Sequence, residues 1–297
     1  MKIKELGLLK NKFKGILLAA GTGSRLSPIT NSINKHLIPI LDKPMIYYSL
    51  SILMIAKIRD VLIICNKEDE KIFYKLFGNG SRLGMKIKYK IQSKPNGIPE
   101  AFMIANEFTK DSNVALILGD NFFYGQSLSN NILKEKRNFS GSKIFLYKVN
   151  NFNQYGVAKV KNNKIIGIKE KPKNYYSNLA ITGFYFFDKN SYIFSKKLKK
   201  SRRGELEIVD LLKKYLRLKK LKFSILGRGL TWLDTGTPEG ILDASNFVSA
   251  IEKRQGMKIS CLEEISFNNR WISKKELKKN YKFYKNSNYL KYLKKII

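Results

Sequence analysis

Histidine and cysteine are almost missing from this chain: His36 is the single histidine, and Cys65 and Cys261 stand far apart with no CxxC or Cys/His spacing. Structural zinc and a disulfide framework are therefore excluded. A membrane-length apolar run is also lacking, because residues 45–58 are interrupted by Ser49, Ser51 and Lys57 and fall short of the ~20 residues a spanning helix needs. No membrane partner is expected. Residues 1–13 carry lysines without the apolar core of a secretory signal, so a cytoplasmic, reducing setting is the expectation. Acidic side chains are scarce, 23 Asp and Glu against 57 Lys and Arg, giving a net charge of +34.

So basic a balance raises nucleic acid as a partner. The lysines, however, are spread along the whole chain among Asn and Ile, as in Lys196-Lys197-Leu198-Lys199-Lys200, the pattern of solvated faces. The aromatic signatures of common RNA-binding modules are absent, and no dedicated nucleic-acid partner is expected.

What is present is a globular pattern: 297 residues with 43% hydrophobic content, enough for one large α/β domain or two ordinary ones. Apolar, β-branched runs at 15–19, 61–64, 87–91, 114–118 and 144–147 alternate with helical segments at 44–57 and 99–108. Continuous apolar strands suit a parallel sheet covered on both faces, and the alternation is that of an α/β doubly wound fold. Ligands then belong in the loops after Ala19, Ile91 and Leu118, at the carboxyl ends of strands. The second half adds strands at 157–160 and 164–169 around an Asn162-Asn163 turn, and an aromatic strand at 180–187. Residues 238–253 read as a helix capped by Thr237, and the tail 273–297 alternates lysine with Tyr, Phe and Leu at helical spacing.

Residues 17–26, LLAAGTGSRL, run from a strand into a glycine-rich loop ending in Arg25. Such a loop brings backbone N–H groups close to phosphate oxygens, while Arg25 offsets their charge. It is neither a Walker A loop nor a full G-x-G-x-x-G fingerprint, which counts against ATPase and nicotinamide chemistry. Leu118-Gly119-Asp120 and Trp232-Leu233-Asp234 are two apolar strands each ending in an acid, and either acid by itself is as well read as a cap or turn residue.

Taken with NKHLIPI (34–40), DKPM (42–45), QSKPNG (92–97), LGDN (118–121), YGV (155–157), EKP (170–172), TG (182–183), RGELEI (203–208) and WLDTG (232–236), this loop resembles the sugar-1-phosphate nucleotidyltransferases, in the order that family shows. The likeness is to the branch that uses thymidine nucleotides, and it runs from about residue 14 to the C-terminus. It implies a Rossmann-like, mostly parallel sheet with an added sugar-binding β region and C-terminal helices. The domain would cover 14–250, with a nucleotide half at about 14–140 and a sugar half at about 141–240. Residues 251–297 would be a helical extension, and 1–13 an N-terminal extension without assigned role.

The resemblance further implies dTTP and α-D-glucose 1-phosphate as substrates, dTDP-glucose and pyrophosphate as products, Mg2+ as cofactor, a homotetramer, and a place at the start of dTDP-rhamnose-type sugar synthesis. Arg25 and Lys35 would stabilise the triphosphate, and Lys171 would hold the sugar phosphate. The nucleotide site would include Ala20, Gly21, Gly23, Ser24, His36, Gln92, Pro95, Gly97 and Asp120. The sugar-phosphate site would include Asn121, Tyr155, Gly156, Glu170, Ile181 and Trp232, the last either a wall of the pocket or a plain core aromatic. Asp120 and Asp234 would hold the metal. No general base is expected of His36, since a sugar phosphate is already an anionic nucleophile.

Three positions depart from the family pattern: Ala20 in place of a glycine, His36 in place of glutamine, and Val209 in place of threonine. Choice among dTTP, UTP and CTP stays open, since one methyl in an apolar pocket is worth only about 1–3 kcal/mol. A catalytically inactive regulatory homologue is the rival from another class; the joint presence of Arg25, Lys35, Asp120, Lys171 and Asp234 speaks against it.

Overall fold

The structure, a computed structural model, describes residues 12–137 and 139–296. Most of the N-terminal extension read from the sequence, residues 1–11, lies outside them. In chain order the strands are β1 (Phe13–Ala19), β2 (Pro39–Ile40), β3 (Lys43–Pro44), β4 (Asp60–Cys65), β5 (Lys86–Ile91), β6 (Asn113–Leu118), β7 (Asn121–Gly125), β8 (Ser142–Lys148), β9 (Gly156–Lys161), β10 (Lys164–Glu170), β11 (Leu179–Phe187), β12 (Leu221–Ile225) and β13 (Leu230–Asp234). Nine of them form one sheet with the path β10-β9-β11-β6-β1-β4-β5, while β8 joins β11 to β12. β1 pairs in parallel with both β4 and β6, and β4 with β5.

The unbroken apolar runs have a direct cause. Alternate residues of β1 enter two separate cores, Leu17 and Ala19 on one face, Ile16 and Leu18 on the other. β4 and β6 divide the same way. The helix Ile46–Ile55 covers the first face, and the helix Ile208–Arg217, with Ala101 and Phe102, covers the second. Burial on both sides leaves no solvent face for polar residues to occupy.

Beyond β6 the sheet turns antiparallel, through β11 and β8. The Asn162-Asn163 turn joins β9 to β10 with both residues at positive φ, 49° and 53°, as a type I′ hairpin requires. β7 and β13 form a separate two-stranded ribbon in which Asn121 lies opposite Asp234.

One helix expectation is corrected. Residues 99–108 hold two short helices, Glu100–Ile104 and Asn106–Thr109, and at their junction the Ala105 carbonyl accepts from both the Thr109 hydroxyl and the Thr109 amide, a pattern that goes with a bend. The tail is helical in two pieces, Lys274–Asn280, started by a Ser273/Glu276 capping box, and Asn288–Lys295, capped by Ser287. The Thr237 cap stands, its hydroxyl accepting from the Gly240 N–H at 3.1 Å, and that helix, Pro238–Gln255, runs across residue 250. Among the described residues no helix is long and apolar enough to cross a membrane.

Candidate active site

The carboxyl ends of β1 and β6 open into a cleft of about 410 Å3. The glycine-rich loop leaves β1 and enters a short turn, Ser24–Leu26, through Gly23 at φ 67°. A side chain at Gly23 would meet Thr30 at 2.8 Å, and one at Gly21 would meet Lys35 Cε at 3.2 Å. Glycine here lets the loop lie on the lysine stem. Lys35 itself sits in a turn capped by Asn34, whose Oδ1 accepts from the His36 N–H at 2.8 Å, and its ammonium reaches Asp120 Oδ2 at 2.5 Å.

Asp120 and Asp234 are far apart in sequence and are brought together by backbone ties. Thr235 donates its N–H and its hydroxyl to the Asp120 carbonyl, at 3.0 and 2.7 Å. Asn121, 4% exposed, accepts at Oδ1 from the Gly183 N–H (2.8 Å) and the Trp232 indole (2.6 Å), and donates to Asp120 Oδ1 at 3.1 Å. Asn121 is thus tied into the walls of the site. Arg25 faces Asp234 at 3.7 Å.

Burial pushes the Asp120 carboxyl up, but Lys35 and the hydrogen bonds around it outweigh this and hold it below the usual carboxylate range. Asp234 goes the other way: burial, then the charge of Asp120, raise it. His36, 2% exposed, is pushed down to about 3 by burial and by Lys35, so its ring is neutral at ordinary pH. The ring is wedged between Asn34 and Gly119, where a Cβ would stand 2.4 Å from His36 Cδ2.

At the other end of the cleft, Gly156 lies opposite Glu170 across the hairpin. A side chain at Gly156 would meet Glu170 Oε2 and Val209 Cγ2, each at 3.0 Å. Burial and the charge of Glu207 raise the Glu170 carboxyl despite Lys171 and Arg203. Lys171 is held at φ 38°, an unfavourable region for a residue before proline, with its N–H on the Tyr155 carbonyl at 3.0 Å. Tyr155 packs edge-on to Trp232 at 5.1 Å, and Trp232 is 5% exposed. Ile181, also buried, lines the same cleft.

The third wall is the loop after β5. Gln92 donates to Glu100 Oε2 at 2.5 Å. Gly97, at φ 104°, leaves no room for a side chain, because a Cβ would fall 2.1 Å from the Leu206 carbonyl oxygen. The Leu206 N–H closes this contact on the Asn96 carbonyl at 2.7 Å.

Every residue singled out from the sequence lines this one cleft, Ala20, Ser24 and Pro95 included. So do Arg203, Glu207 and Tyr185, to which sequence reasoning assigned no role. Arg203 adds a second cation beside Lys171, paired with Glu207 at 2.7 Å and 3.6 Å from Glu170. The motif RGELEI was the available signal, although nothing in it says which residue faces inward.

Among the described residues no three His, Cys, Asp or Glu side chains gather as a closed cage. Two carboxylates, one raised by the charge of the other, fit a hard cation that takes its remaining ligands from water and phosphate. The cleft therefore joins a glycine loop, cations and a carboxylate pair at one end to Glu170, Lys171 and Tyr155 at the other.

A family profile described as Nucleotidyl transferase matches residues 14–251. The chain belongs to that family. Members of the family generally work with a divalent metal. This nucleotidyl transferase is 44% identical to a glucose-1-phosphate thymidylyltransferase of Neisseria meningitidis serogroup A, over 96% of this chain and 99% of that one. It is also 44% identical to an enzyme of the same name from Mycobacterium tuberculosis, over 94% and 97% of the two chains. Its fold matches a crystal structure of a Bacillus anthracis protein provisionally named glucose-1-phosphate thymidylyltransferase, with TM-score 0.74 and 37% identity over 79% of this chain and 94% of that one. A UDP-glucose pyrophosphorylase, at 23% identity and TM-score 0.70 over 82% of this chain and the whole of the other, shares the architecture.

Proposed function

We propose that this protein transfers a thymidylyl group from dTTP to α-D-glucose 1-phosphate, giving dTDP-glucose and pyrophosphate. The observation that carries the reading is the single cleft in which a glycine loop, Arg25, Lys35 and two carboxylates stand at one end and Glu170, Lys171 and Tyr155 at the other. A phosphate oxygen of the sugar attacks the α-phosphorus of the nucleotide. The bond from that phosphorus to the bridging oxygen breaks in line, and pyrophosphate leaves with the electron pair. No proton needs to be removed from the nucleophile, which agrees with the neutral, enclosed His36.

The protein's part is positioning and charge. Backbone N–H groups of residues 20–24 and the Arg25 and Lys35 side chains take the triphosphate and the departing pyrophosphate. Lys171 takes the sugar phosphate, and Arg203 stands beside it. Glu170 accepts hydrogen bonds from the sugar hydroxyls, while Tyr155, backed by Trp232, covers the ring. Gln92 meets the pyrimidine edge, with the Gly97 loop holding the base in place. Asp120 and Asp234 would hold Mg2+, which would supply neutralisation of phosphate charge.

The buried, free Cys65 and Cys261 suit a cytoplasmic setting. The proposal extends to a homotetramer supplying dTDP-rhamnose-type sugars. Pyrophosphate release by purified protein with Mg2+, glucose 1-phosphate and dTTP, UTP or CTP in parallel tests the reading. Release with dTTP preferred is expected; no release with any nucleotide would sink it.

A further inference from the structure

Both oxygens of the Asp120 carboxylate are already taken by protein donors, Oδ2 by the Lys35 ammonium at 2.5 Å and Oδ1 by the Asn121 amide at 3.1 Å. The second tie is fixed, because the Asn121 carbonyl oxygen is held by the Gly183 N–H and the Trp232 indole. The first is movable: Lys35 approaches on a flexible stem lying along the glycine loop, where a Cβ at Gly21 would come within 3.2 Å of its Cε. An ammonium and a divalent cation repel each other and compete for the same lone pairs, and Mg2+ gives up its water reluctantly.

We infer that Lys35 is a placeholder on Asp120: it keeps a divalent cation from binding the free protein well, and a triphosphate admits the cation by drawing Lys35 onto its own oxygens. This rests on the nucleotidyl-transfer reading above. A triphosphate offers oxygens to the ammonium and to the cation together, so Lys35 exchanges one anionic partner for another while Asp120 changes cations. Arg25 does not play the same part, since it stands 3.7 Å from Asp234 with half its side chain exposed, against 13% for Lys35. The gate is at Asp120. Cation and nucleotide then favour each other's binding by the same factor.

The test is Mn2+ binding to the full chain, followed by electron paramagnetic resonance without nucleotide, in the wild type and in Lys35→Met and Lys35→Gln. Thermal midpoints check that each variant is folded. Both variants are expected to bind Mn2+ alone about tenfold or more tightly than wild type, the scale on which groups around a ligand move metal affinity. A second measurement uses Asp120→Asn: Mn2+ should tighten dTTP binding to the wild type by calorimetry and not to this variant, while Mn2+ alone binds both almost equally. Unchanged or weaker Mn2+ affinity in the Lys35 variants, or a large loss of nucleotide-free Mn2+ binding in Asp120→Asn, overturns the inference. Wild-type turnover is measured beside these: its absence fails the nucleotidyl-transfer reading, whereas turnover with unmoved Mn2+ affinities fails the placeholder alone.

Discussion

Glu263 and Asp234 are both enclosed carboxylates, and their surroundings differ in kind. Glu263, with no exposed surface, takes hydrogen bonds from Arg82 (2.7 Å), Tyr289 (2.7 Å) and Tyr284. Arg82 in turn is anchored on the Leu76 carbonyl at 2.7 Å. That cluster ties the C-terminal helices to the turn at Ser81–Leu83, and its acceptor sites are filled by buried groups of the chain itself. Asp234 receives one peptide N–H, from Gly236 at 3.0 Å, faces Arg25 across 3.7 Å, and is raised by burial and by its neighbour Asp120. Glu263 is satisfied from within the chain, whereas Asp234 is left with acceptor capacity that something else must fill.

The contrast is sharpest in the two substitutions that should have opposite effects. Glu263→Leu leaves a buried guanidinium and two hydroxyls without their acceptor, and should cost about 3–5 kcal/mol of stability in urea unfolding, with kcat unchanged in the protein that remains folded. Asp120→Asn should lower turnover about 10²–10³-fold, the usual scale for losing one preorganised electrostatic group, and, since it also takes the charged acceptor from the Lys35 ammonium, lower the thermal midpoint by less than Glu263→Leu does. The comparison breaks if Glu263→Leu loses activity while still folded or if Asp120→Asn unfolds.

Smaller effects sharpen it further. Gly97→Ala places a methyl 2.1 Å from the Leu206 carbonyl oxygen at a φ of 104°, which should cost about 1–3 kcal/mol and raise KM for the nucleotide more than for the sugar phosphate. The mildest effect is expected at Glu170. Its folded carboxyl titrates above the ordinary 4.5, pushed by burial and then by Glu207, so between those two values the folded protein holds a proton that the unfolded chain has lost. Stability from this group is therefore present below pH 4.5 and lost as pH rises through the folded value. Glu170→Gln should flatten that part of a stability-versus-pH profile and raise the midpoint slightly at neutral pH, while lowering activity.

The parallel half of the fold was legible because strands buried on both faces write themselves as unbroken apolar runs, and the hairpin because Asn162-Asn163 suits two positive φ angles. The glycine loop and Arg25 were legible from residue chemistry, and most of the other residues gathered at the cleft through motif order; no spacing rule brings Asp120 beside Asp234. What was not legible is of two kinds, weak local signals and partners distant in sequence. The helix break at Ala105 goes with a Thr109 hydroxyl four residues on, and the second helix of the tail with a cap at Ser287, both local and easily passed over. Asn121 read as a sugar contact, and its ties to Gly183 and Trp232 exist only once β11 and β13 are in place. Arg203 was one basic residue among 57, and its inward position depends on Glu207 and Glu170.

The ribbon of β7 and β13 sets the moment at which this protein acquires a site during its own synthesis. Asp120 and Thr235 are joined across 115 positions of chain. A ribosome that has released β1 through β6 has already made the four neighbouring strands of the parallel sheet, together with the glycine loop and Lys35. It has not yet made the strand that carries Asp234. The growing chain therefore carries the glycine loop and Lys35 well before it carries both carboxylates, and that pair is complete only when β13 emerges, with the helices of residues 238–295 still to follow.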